Sequence, residues 1–177
     1  MATYRRYLTK GGTWFFTVNL ANRKSSLLTE NIDNLRNAFK YVNHRHPFTI
    51  NAIVILPDHI HAIWTLPEND SDFSTRWRLI KTEFSRKIPK YEKITSSRLS
   101  KNERGIWQRR FWEHKIRDDS DYARHVDYIH INPVKHGYVN NASEWLWSSF
   151  HRYVKDGIIA TDWAADVDSS FDFGELR

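Results

Sequence analysis

The chain has no cysteine among its 177 residues. Disulfide bridges, thiolate catalysis and cysteine zinc sites are therefore excluded, and any metal must be held by histidine, asparagine or carboxylate side chains. The chain also lacks an apolar run of the roughly 20 residues needed to span a bilayer. Residues 1–7 lack the apolar segment of a signal peptide. We therefore expect a cytoplasmic protein that has no membrane partner.

Repeats and low-complexity segments are absent as well, and the length fits one domain better than two. We predict a single domain over residues 1–153 and an acidic tail over residues 154–177. The net charge is +6, and the positive side chains concentrate in residues 72–117, interleaved with tryptophan and phenylalanine. Positive side chains neutralise phosphates and aromatic rings stack on bases, so this mixture favours a nucleic-acid partner. The alternative is an aromatic core beneath a solvated charged surface.

The hydrophobic pattern switches between strand and helix periods along the chain. It predicts strands at 13–20, 48–56, 60–66 and within 106–117. It predicts a first helix at 30–44, a second helix that begins after a cap at Ser71 or Asp72, and a third that begins after a cap at Ser120 or Asp121. The polar stretch 90–104 is predicted to be either a mobile loop or a loop that the substrate orders. This order predicts an α+β fold: a ferredoxin-like split βαβ unit with an antiparallel-rich four-stranded sheet and an extra C-terminal helix. The third strand is then central.

Two histidines stand two residues apart in the third predicted strand. Because successive strand residues point to opposite faces, His59 and His61 share one face while Ile60, Ala62 and Trp64 line the other. Two imidazoles on one face are half of a metal site.

The last predicted helix carries the residues that we expect to complete this site. Tyr128 and Asn132 are four apart, and at about 100° per residue Asp121 and His125 share their face. Pro133 disfavours helical geometry at Asn132, so the helix is expected to end there, and Asn132 as an ordinary helix end is an open alternative.

The chain resembles the single-tyrosine HUH transposases, and specifically the REP-associated tyrosine transposases. The resemblance covers nearly the whole domain and is carried, in order, by residues 4–7, 11–20, 56–61, 107–114 and 126–135. It implies a ferredoxin-like fold that cleaves and rejoins single-stranded DNA at hairpins of repetitive extragenic palindromes. It also implies a 5′-phosphotyrosine intermediate with a free 3′-hydroxyl, a monomeric enzyme, and association with the nucleoid when DNA is bound.

The resemblance assigns roles residue by residue. His59 and His61 match the pair that binds a divalent cation, and Tyr128 matches the nucleophile. Asn132 matches the position of a third ligand, where relatives often have the longer glutamine. Two imidazoles and one oxygen favour Mn²⁺ in intrinsic affinity, whereas Mg²⁺ is more abundant in the cell, so we expect one of these two ions.

Other assignments stay open within this framework. Tyr122 or Tyr138 could be the nucleophile, and Asp121 or His125 could assist or replace Asn132. We expect structural or DNA-contacting roles for three further histidines: His114, His130 and His136.

Contacts to the DNA strand are expected mainly from arginine and lysine at phosphates, with a minority reading bases. The candidates are Arg5, Arg6, Lys10, Arg76, Arg78, Lys81, Arg109, Arg110, Lys115 and Lys135. The acidic residues of the tail could occupy the same basic groove and restrain activity, which deletion of the chain after Tyr153 would test.

Two other functions fit the same sequence. A ferredoxin-like sheet with aromatic and basic residues also builds non-catalytic readers of single-stranded nucleic acid, which need neither His59 nor Tyr128. A metal-dependent nuclease that uses water would keep strand scission after Tyr128→Phe.

Overall fold

A four-stranded sheet organises the chain, which a computed structural model describes over residues 9–90, 92 and 94–164. The strands are Thr13–Asn19 (β1), Thr49–Ile55 (β2), His59–Thr65 (β3) and Trp112–Lys115 (β4). The helices are Leu27–Glu30 (α1), Ile32–Arg45 (α2), Phe73–Arg86 (α3), Ser96–Leu99 (α4), Asp119–Lys135 (α5) and Phe150–Lys155 (α6), with a 3-10 turn at Ala142–Glu144. None of the helices in these described ranges combines the length and apolar character that a membrane crossing requires.

The strands lie in the order β2-β3-β1-β4, and every neighbouring pair is antiparallel. This arrangement confirms the predicted α+β, ferredoxin-like fold and the central position of β3. In the pairing of β1 with β3, His59 lies opposite Asn19 and His61 lies opposite Thr17. The two histidines therefore stand in the middle of the sheet.

The two faces of the sheet bury different residues. On one face Phe16 and Trp64 pack with Trp77 of α3 in the larger core, which α2 also covers. On the opposite face Phe15 and Ile63 pack against α5. His59 and His61 alternate with core residues of the first face, so they point toward α5, as the strand pattern predicted.

Helix α3 follows its sequence prediction closely. The carboxylate of Asp72 accepts the N–H of Thr75 (2.9 Å) and caps the helix. The predicted apolar stripe is buried at every position: Phe73, Trp77, Ile80, Phe84 and Ile88.

The start of α5 differs from the prediction. Asp118, rather than Ser120 or Asp121, is the N-cap, and its carboxylate accepts the N–H of Asp121 (2.8 Å). The four consecutive residues 118–121 all have acidic or hydroxyl side chains that can cap a helix, so the pattern alone chose the wrong one.

The end of α5 also differs, because Pro133 lies inside the helix, which continues to Lys135. The N–H of His136 donates to the carbonyl of Asn132 (3.0 Å) beyond the proline. The missing donor of Pro133 therefore removes one bond without ending the helix.

Part of the stretch predicted as a mobile loop, 90–104, has defined structure. It contains α4, and the guanidinium of Arg104 ties it to the end of α3. The partners of that guanidinium are the carbonyl oxygens of Ser85, Ile88 and Pro89 and the carboxylate of Glu92.

The chain after α5 covers the free edge of β2. Ser148 forms a bridge with Val54, and the N–H of Ile55 donates to the carbonyl of Trp147 (2.9 Å). Helix α6 spans residue 153, the predicted end of the domain, and its Phe150 packs on Trp163. The tail through residue 164 thus contacts the domain, while residues 165–177 lie outside the described residues.

Candidate active site

The paired histidines of β3 lie beneath α5 with their ring centroids 4.9 Å apart. His59 Nδ1 donates to the Asp58 carboxylate (2.7 Å), which also pairs with Arg23 (3.2 Å). His61 Nδ1 is hydrogen-bonded to Thr17 Oγ1 (2.8 Å). Supporting bonds of this kind orient metal-binding histidines and leave the Nε2 atom for the ion. The Nε2 atoms of both rings are buried.

Burial keeps both rings uncharged at neutral pH. It lowers the pKa of His59 to about 4, although the bond to Asp58 acts in the opposite direction. It lowers the pKa of His61 well below the ordinary value, and the positive charges around that ring act in the same direction. A neutral imidazole keeps a lone pair for a cation.

Tyr128 of α5 packs against His61 of this pair. Its ring centroid lies 5.2 Å from that of His61, and its side chain is 2% exposed. Its hydroxyl accepts a hydrogen bond from Lys135 Nζ (3.3 Å), and this ammonium lies 4.7 Å from the ring centroid. Lys135 is exposed, so the buried hydroxyl lies close to a positive surface group.

The other two candidate tyrosines lie elsewhere. The Tyr122 hydroxyl is hydrogen-bonded to that of Tyr153 (3.2 Å), near the start of α5. Tyr138 follows α5, is 45% exposed, and lies beyond His136. Their placement favours Tyr128 as the residue that acts with the histidine pair.

Asn132 is fully buried, one helical turn after Tyr128 on the same face of α5. This placement agrees with the face predicted from the sequence. The role of Asn132 as a ligand stays a prediction.

A second cluster occupies the first half of α5. His114 of β4, Asp121 and His125 each offer a ligand atom, and these atoms lie within 4.8 Å of one another, so the group could hold a metal ion. The Phe15 ring lies 4.8 Å from His125 and 5.5 Å from His61, between this cluster and the β3 pair. Sequence reasoning placed Asp121 and His125 together but missed His114, because the approach of His114 depends on the pairing of β4 with β1.

Asp121 in this cluster is already surrounded by donors. It accepts from His114 Nε2 (2.8 Å) and from the backbone and side chain of Arg117 (3.1 and 3.2 Å), and Arg124 lies 3.6 Å away. Burial raises the pKa of this carboxyl, but the bonds from Arg117 and His114 outweigh it and hold the pKa far below the usual range. A cation here would compete with two arginines.

Three of the predicted DNA-contacting residues, Arg78, Lys81 and Arg109, line one cleft of about 960 Å³ between α3 and residues 98–111. Seven lysine and arginine side chains and one carboxylate line this cleft: Arg78, Lys81, Arg86, Lys90, Arg98, Arg104, Arg109 and Glu103. Gln108, also in the lining, donates its N–H to the carbonyl of Asn19 (3.0 Å), the residue opposite His59. The cleft and the histidine pair thus approach the same end of β1.

The remaining candidates for DNA contact are dispersed. Lys10 and Arg110 are exposed, Lys115 is half-buried on the edge strand β4, and Lys135 ends α5. Arg5 and Arg6 lie outside the described residues.

Arg76 does not fit the predicted DNA contact. It is 2% exposed, and its guanidinium donates to the carbonyls of His46 (3.1 Å) and Pro47 (2.7 Å) and to the Asp70 carboxylate (2.7 Å). These bonds join α3 to the turn after α2. The helical pattern placed Arg76 off the apolar stripe but could not show that a neighbouring turn covers it.

Comparison with known proteins agrees with this architecture. The profile of the family described as "Transposase IS200 like" matches residues 14–132, from β1 to Asn132. The chain is 55% identical over 175 residues to the REP-associated tyrosine transposase of Escherichia coli strain K12, covering 99% of this chain and 98% of that protein. A relative from Haemophilus influenzae that carries the same family name is 50% identical over 169 residues, covering 95% and 96% of the two chains.

A solved structure shows the same fold. It is described as a REP-associated tyrosine transposase bound to a REP hairpin, and it matches with a TM-score of 0.85 at 53% identity, covering 99% of this chain and 98% of that one. The IS200-like profile match and the nearly full-length identity lead to one conclusion: the chain belongs to the REP-associated tyrosine transposases.

Proposed function

We propose that this enzyme cleaves and rejoins single-stranded DNA at hairpins of repetitive extragenic palindromes, with Tyr128 as the nucleophile. One observation carries the proposal: Tyr128 packs on His61, so that a phenol lies beside two buried imidazoles. The substrate is suggested by the relative of 53% identity, which was solved with a REP hairpin.

The chemistry requires one nucleophile and no external energy source. The Tyr128 oxygen forms a bond to the phosphorus and gives up its proton, while the bond from phosphorus to the 3′ oxygen breaks and that oxygen takes up a proton. The products are a 5′-phosphotyrosine and a free 3′-hydroxyl. Phenolate is a better leaving group than a sugar alkoxide, so attack by a 3′-hydroxyl reverses the step and rejoins the strand.

Lys135 has a direct part in this scheme. Its ammonium lies 3.3 Å from the Tyr128 hydroxyl, and Lys135 is exposed whereas the tyrosine ring is buried. A group in this position can contact both the tyrosine oxygen and a phosphate that approaches it. A positive charge at this position stabilises the negative charge that develops while the phosphoryl group is transferred.

His59, His61 and Asn132 are the residues that we propose to hold a divalent ion, Mg²⁺ or Mn²⁺. The β3 pair fits a cation, because both rings are held neutral and the buried Nε2 of His59 has no hydrogen-bond partner within the described residues. Such an ion would withdraw charge from the scissile phosphate and orient it. Asp58 and Thr17 keep the two imidazoles in place.

The cluster of His114, Asp121 and His125 is the second candidate for the metal. We favour the β3 pair because Arg117 and Arg124 occupy the carboxylate of the cluster. Calorimetric titration with Mn²⁺ separates the two. We expect His59→Ala with His61→Ala to abolish binding, while His114→Ala with His125→Ala retains it; the reverse pattern would assign the ion to the cluster.

The principal experiment tests the nucleophile. Purified protein is incubated with Mn²⁺ or Mg²⁺ and an end-labelled single-stranded REP hairpin, and the products are resolved on a denaturing gel. We expect a covalent protein-DNA adduct that Tyr128→Phe abolishes without weakening hairpin binding. The matched control is Tyr122→Phe, on the same helix, which should still form the adduct.

Other outcomes identify the rival functions. Hairpin binding without adduct or scission in either metal would indicate a binding module. Scission that survives Tyr128→Phe would indicate a nuclease that uses water.

We also propose that the enzyme acts as a monomer. Tyr128 and the β3 histidines meet within one chain, so no second copy is needed to supply the helix that bears the tyrosine. Light scattering on the protein with and without the hairpin tests this, and a dimer in both states would contradict it.

A further inference from the structure

A row of aromatic rings runs outward from the β3 histidines to the surface. The His136 ring lies 5.2 Å from that of His59, and Tyr138 lies 5.9 Å from His136. Tyr138 stacks on Trp145 at 5.4 Å, and Trp145 contacts Trp147 at 5.0 Å. We refer to His136, Tyr138, Trp145 and Trp147 as the aromatic surface.

The backbone and the sheet edge fix these rings. The indole N–H of Trp145 donates to the carbonyl of Ile55 (3.0 Å), and the backbone N–H of Ile55 donates to the carbonyl of Trp147 (2.9 Å). His136 and Tyr138 follow directly on α5, where Gly137 has a positive φ of 71° that turns the chain. The aromatic surface is therefore attached to α5, which carries Tyr128, and to the end of β2, the strand that pairs with the histidine-bearing β3.

The exposure of Tyr138 is unusual for an aromatic residue of this protein. Most aromatic side chains of the described residues are buried or half-buried, whereas Tyr138 is 45% exposed. The neighbouring Leu146 is 71% exposed. Tyr41 is similarly exposed, at 43%, but the guanidinium of Arg45 covers its ring at 3.8 Å on the far helix α2.

Positive groups border the aromatic surface. Lys135 directly precedes His136 and reaches the Tyr128 hydroxyl, and Arg23 pairs with Asp58 beside His59. Exposed rings next to cations are the combination that binds single-stranded nucleic acid, because bases stack on the rings while phosphates meet the cations.

We propose that the aromatic surface binds the unpaired nucleotides that adjoin the scissile phosphate, with a base stacked on Tyr138. This inference rests on the proposed function, which places the reacting phosphate at Tyr128 and the β3 histidines. The strand that leaves that point must cross neighbouring surface, and the ring contacts from His59 to Tyr138 provide a continuous path. Bases inside a hairpin stem are stacked on both faces, and the unpaired nucleotides are the ones that can turn a face to Tyr138, so the surface should distinguish flanked hairpins from blunt ones.

The test compares two fluorescent hairpins by anisotropy in the Tyr128→Phe background, where we expect no cleavage. One hairpin carries a few unpaired nucleotides beside the stem and the other carries none. Tyr138→Ala should weaken binding of the flanked hairpin about tenfold, which is the loss of one stacked base. Binding of the blunt hairpin should not change.

Two further variants make the result specific. Tyr138→Trp keeps a ring and should restore the affinity for the flanked hairpin, whereas Tyr41→Ala removes an equally exposed tyrosine and should have no effect on either hairpin. An equal loss on both hairpins, no loss on either, or a changed oligomeric state of Tyr138→Ala would overturn the inference. Failure of the proposed function is a different result, because then the unmodified chain would form no adduct.

Discussion

At the residue scale, the Asp58 carboxylate orients the His59 ring by accepting a hydrogen bond from His59 Nδ1 (2.7 Å). We expect Asp58→Asn to weaken Mn²⁺ binding by about tenfold to a hundredfold, because the ring loses its charged acceptor. Calorimetric titration measures this, and raised Mn²⁺ should recover adduct formation. Asp33→Asn, on the exposed face of α2, is the control and should bind normally. Equal affinity of Asp58→Asn and the unmodified protein would contradict the role given to Asp58.

Lys135 leads to a second prediction at this scale. Lys135→Ala should lower the rate of adduct formation at saturating hairpin about a hundredfold, because one fixed charge beside the reacting oxygen is lost. Lys135→Arg should recover part of the rate, and hairpin affinity should change much less than the rate. Lys40→Ala, at an exposed position on α2, should alter neither quantity. A loss confined to affinity would make Lys135 a simple phosphate contact.

Individual residues were predictable where a short-range pattern determines their surroundings. The strand alternation placed His59 and His61 on one face, and helical spacing placed Tyr128 and Asn132 on another, as the structure confirms. Arg76 and His114 depend on elements distant in sequence. The turn after α2 covers Arg76, and β-pairing brings His114 to Asp121, so no local pattern could reveal either contact.

At the scale of elements, α5 is the part of the fold that carries the proposed nucleophile. Its first turn is capped by Asp118, whose carboxylate accepts the N–H of Asp121. Asp118→Ala should lower the free energy of unfolding by about 1 kcal/mol, while Asp118→Asn, which can still accept this bond, should lower it much less. Urea denaturation measures both. Equal destabilisation by the two variants would show that charge rather than capping matters there.

Elements with strong periodicity were identified correctly, whereas the residues at which α5 begins and ends were not. The apolar stripe of α3 and the alternation of β3 identified both elements, because each buries one continuous face. The end of α5 was placed too early, because the rule that proline stops a helix ignores the bond from His136 to Asn132. The stretch 90–104 has little hydrophobic period, and the bonds of Arg104 rather than a buried face hold its described part.

At the scale of the whole molecule, several histidines are buried in the interior in their neutral form. His59, His61, His125 and His130 are each 2% exposed or less. Burial lowers the pKa of all four, to about 4 for His59 and for His130. The α5 side of the sheet thus concentrates groups that are neutral in the fold and would be protonated in mildly acidic solution once the chain unfolds.

This distribution predicts that the metal-free protein loses stability in mild acid. Between the ordinary histidine pKa near 6.5 and the folded value of about 4 for His130, the unfolded chain binds more protons than the folded one. Stability is therefore complete above this window and falls as the pH drops through it. By about pH 5, His130 alone should have lowered the free energy of unfolding by about 2 kcal/mol. The other buried histidines act in the same direction.

Urea unfolding with a chelator, at about pH 7.5 and about pH 5, measures this dependence, and His130→Gln isolates one part of it. The glutamine amide can replace His130 Nε2 in its bond to Ser149 Oγ (2.9 Å) but does not titrate. His130→Gln should therefore lose about 2 kcal/mol less than the unmodified protein between the two pH values. His151→Gln removes an exposed histidine and should leave the difference as it was. If His130→Gln lost as much stability in acid as the unmodified chain, the buried ring would have to accept its proton without unfolding, and the link between burial and acid sensitivity would fail.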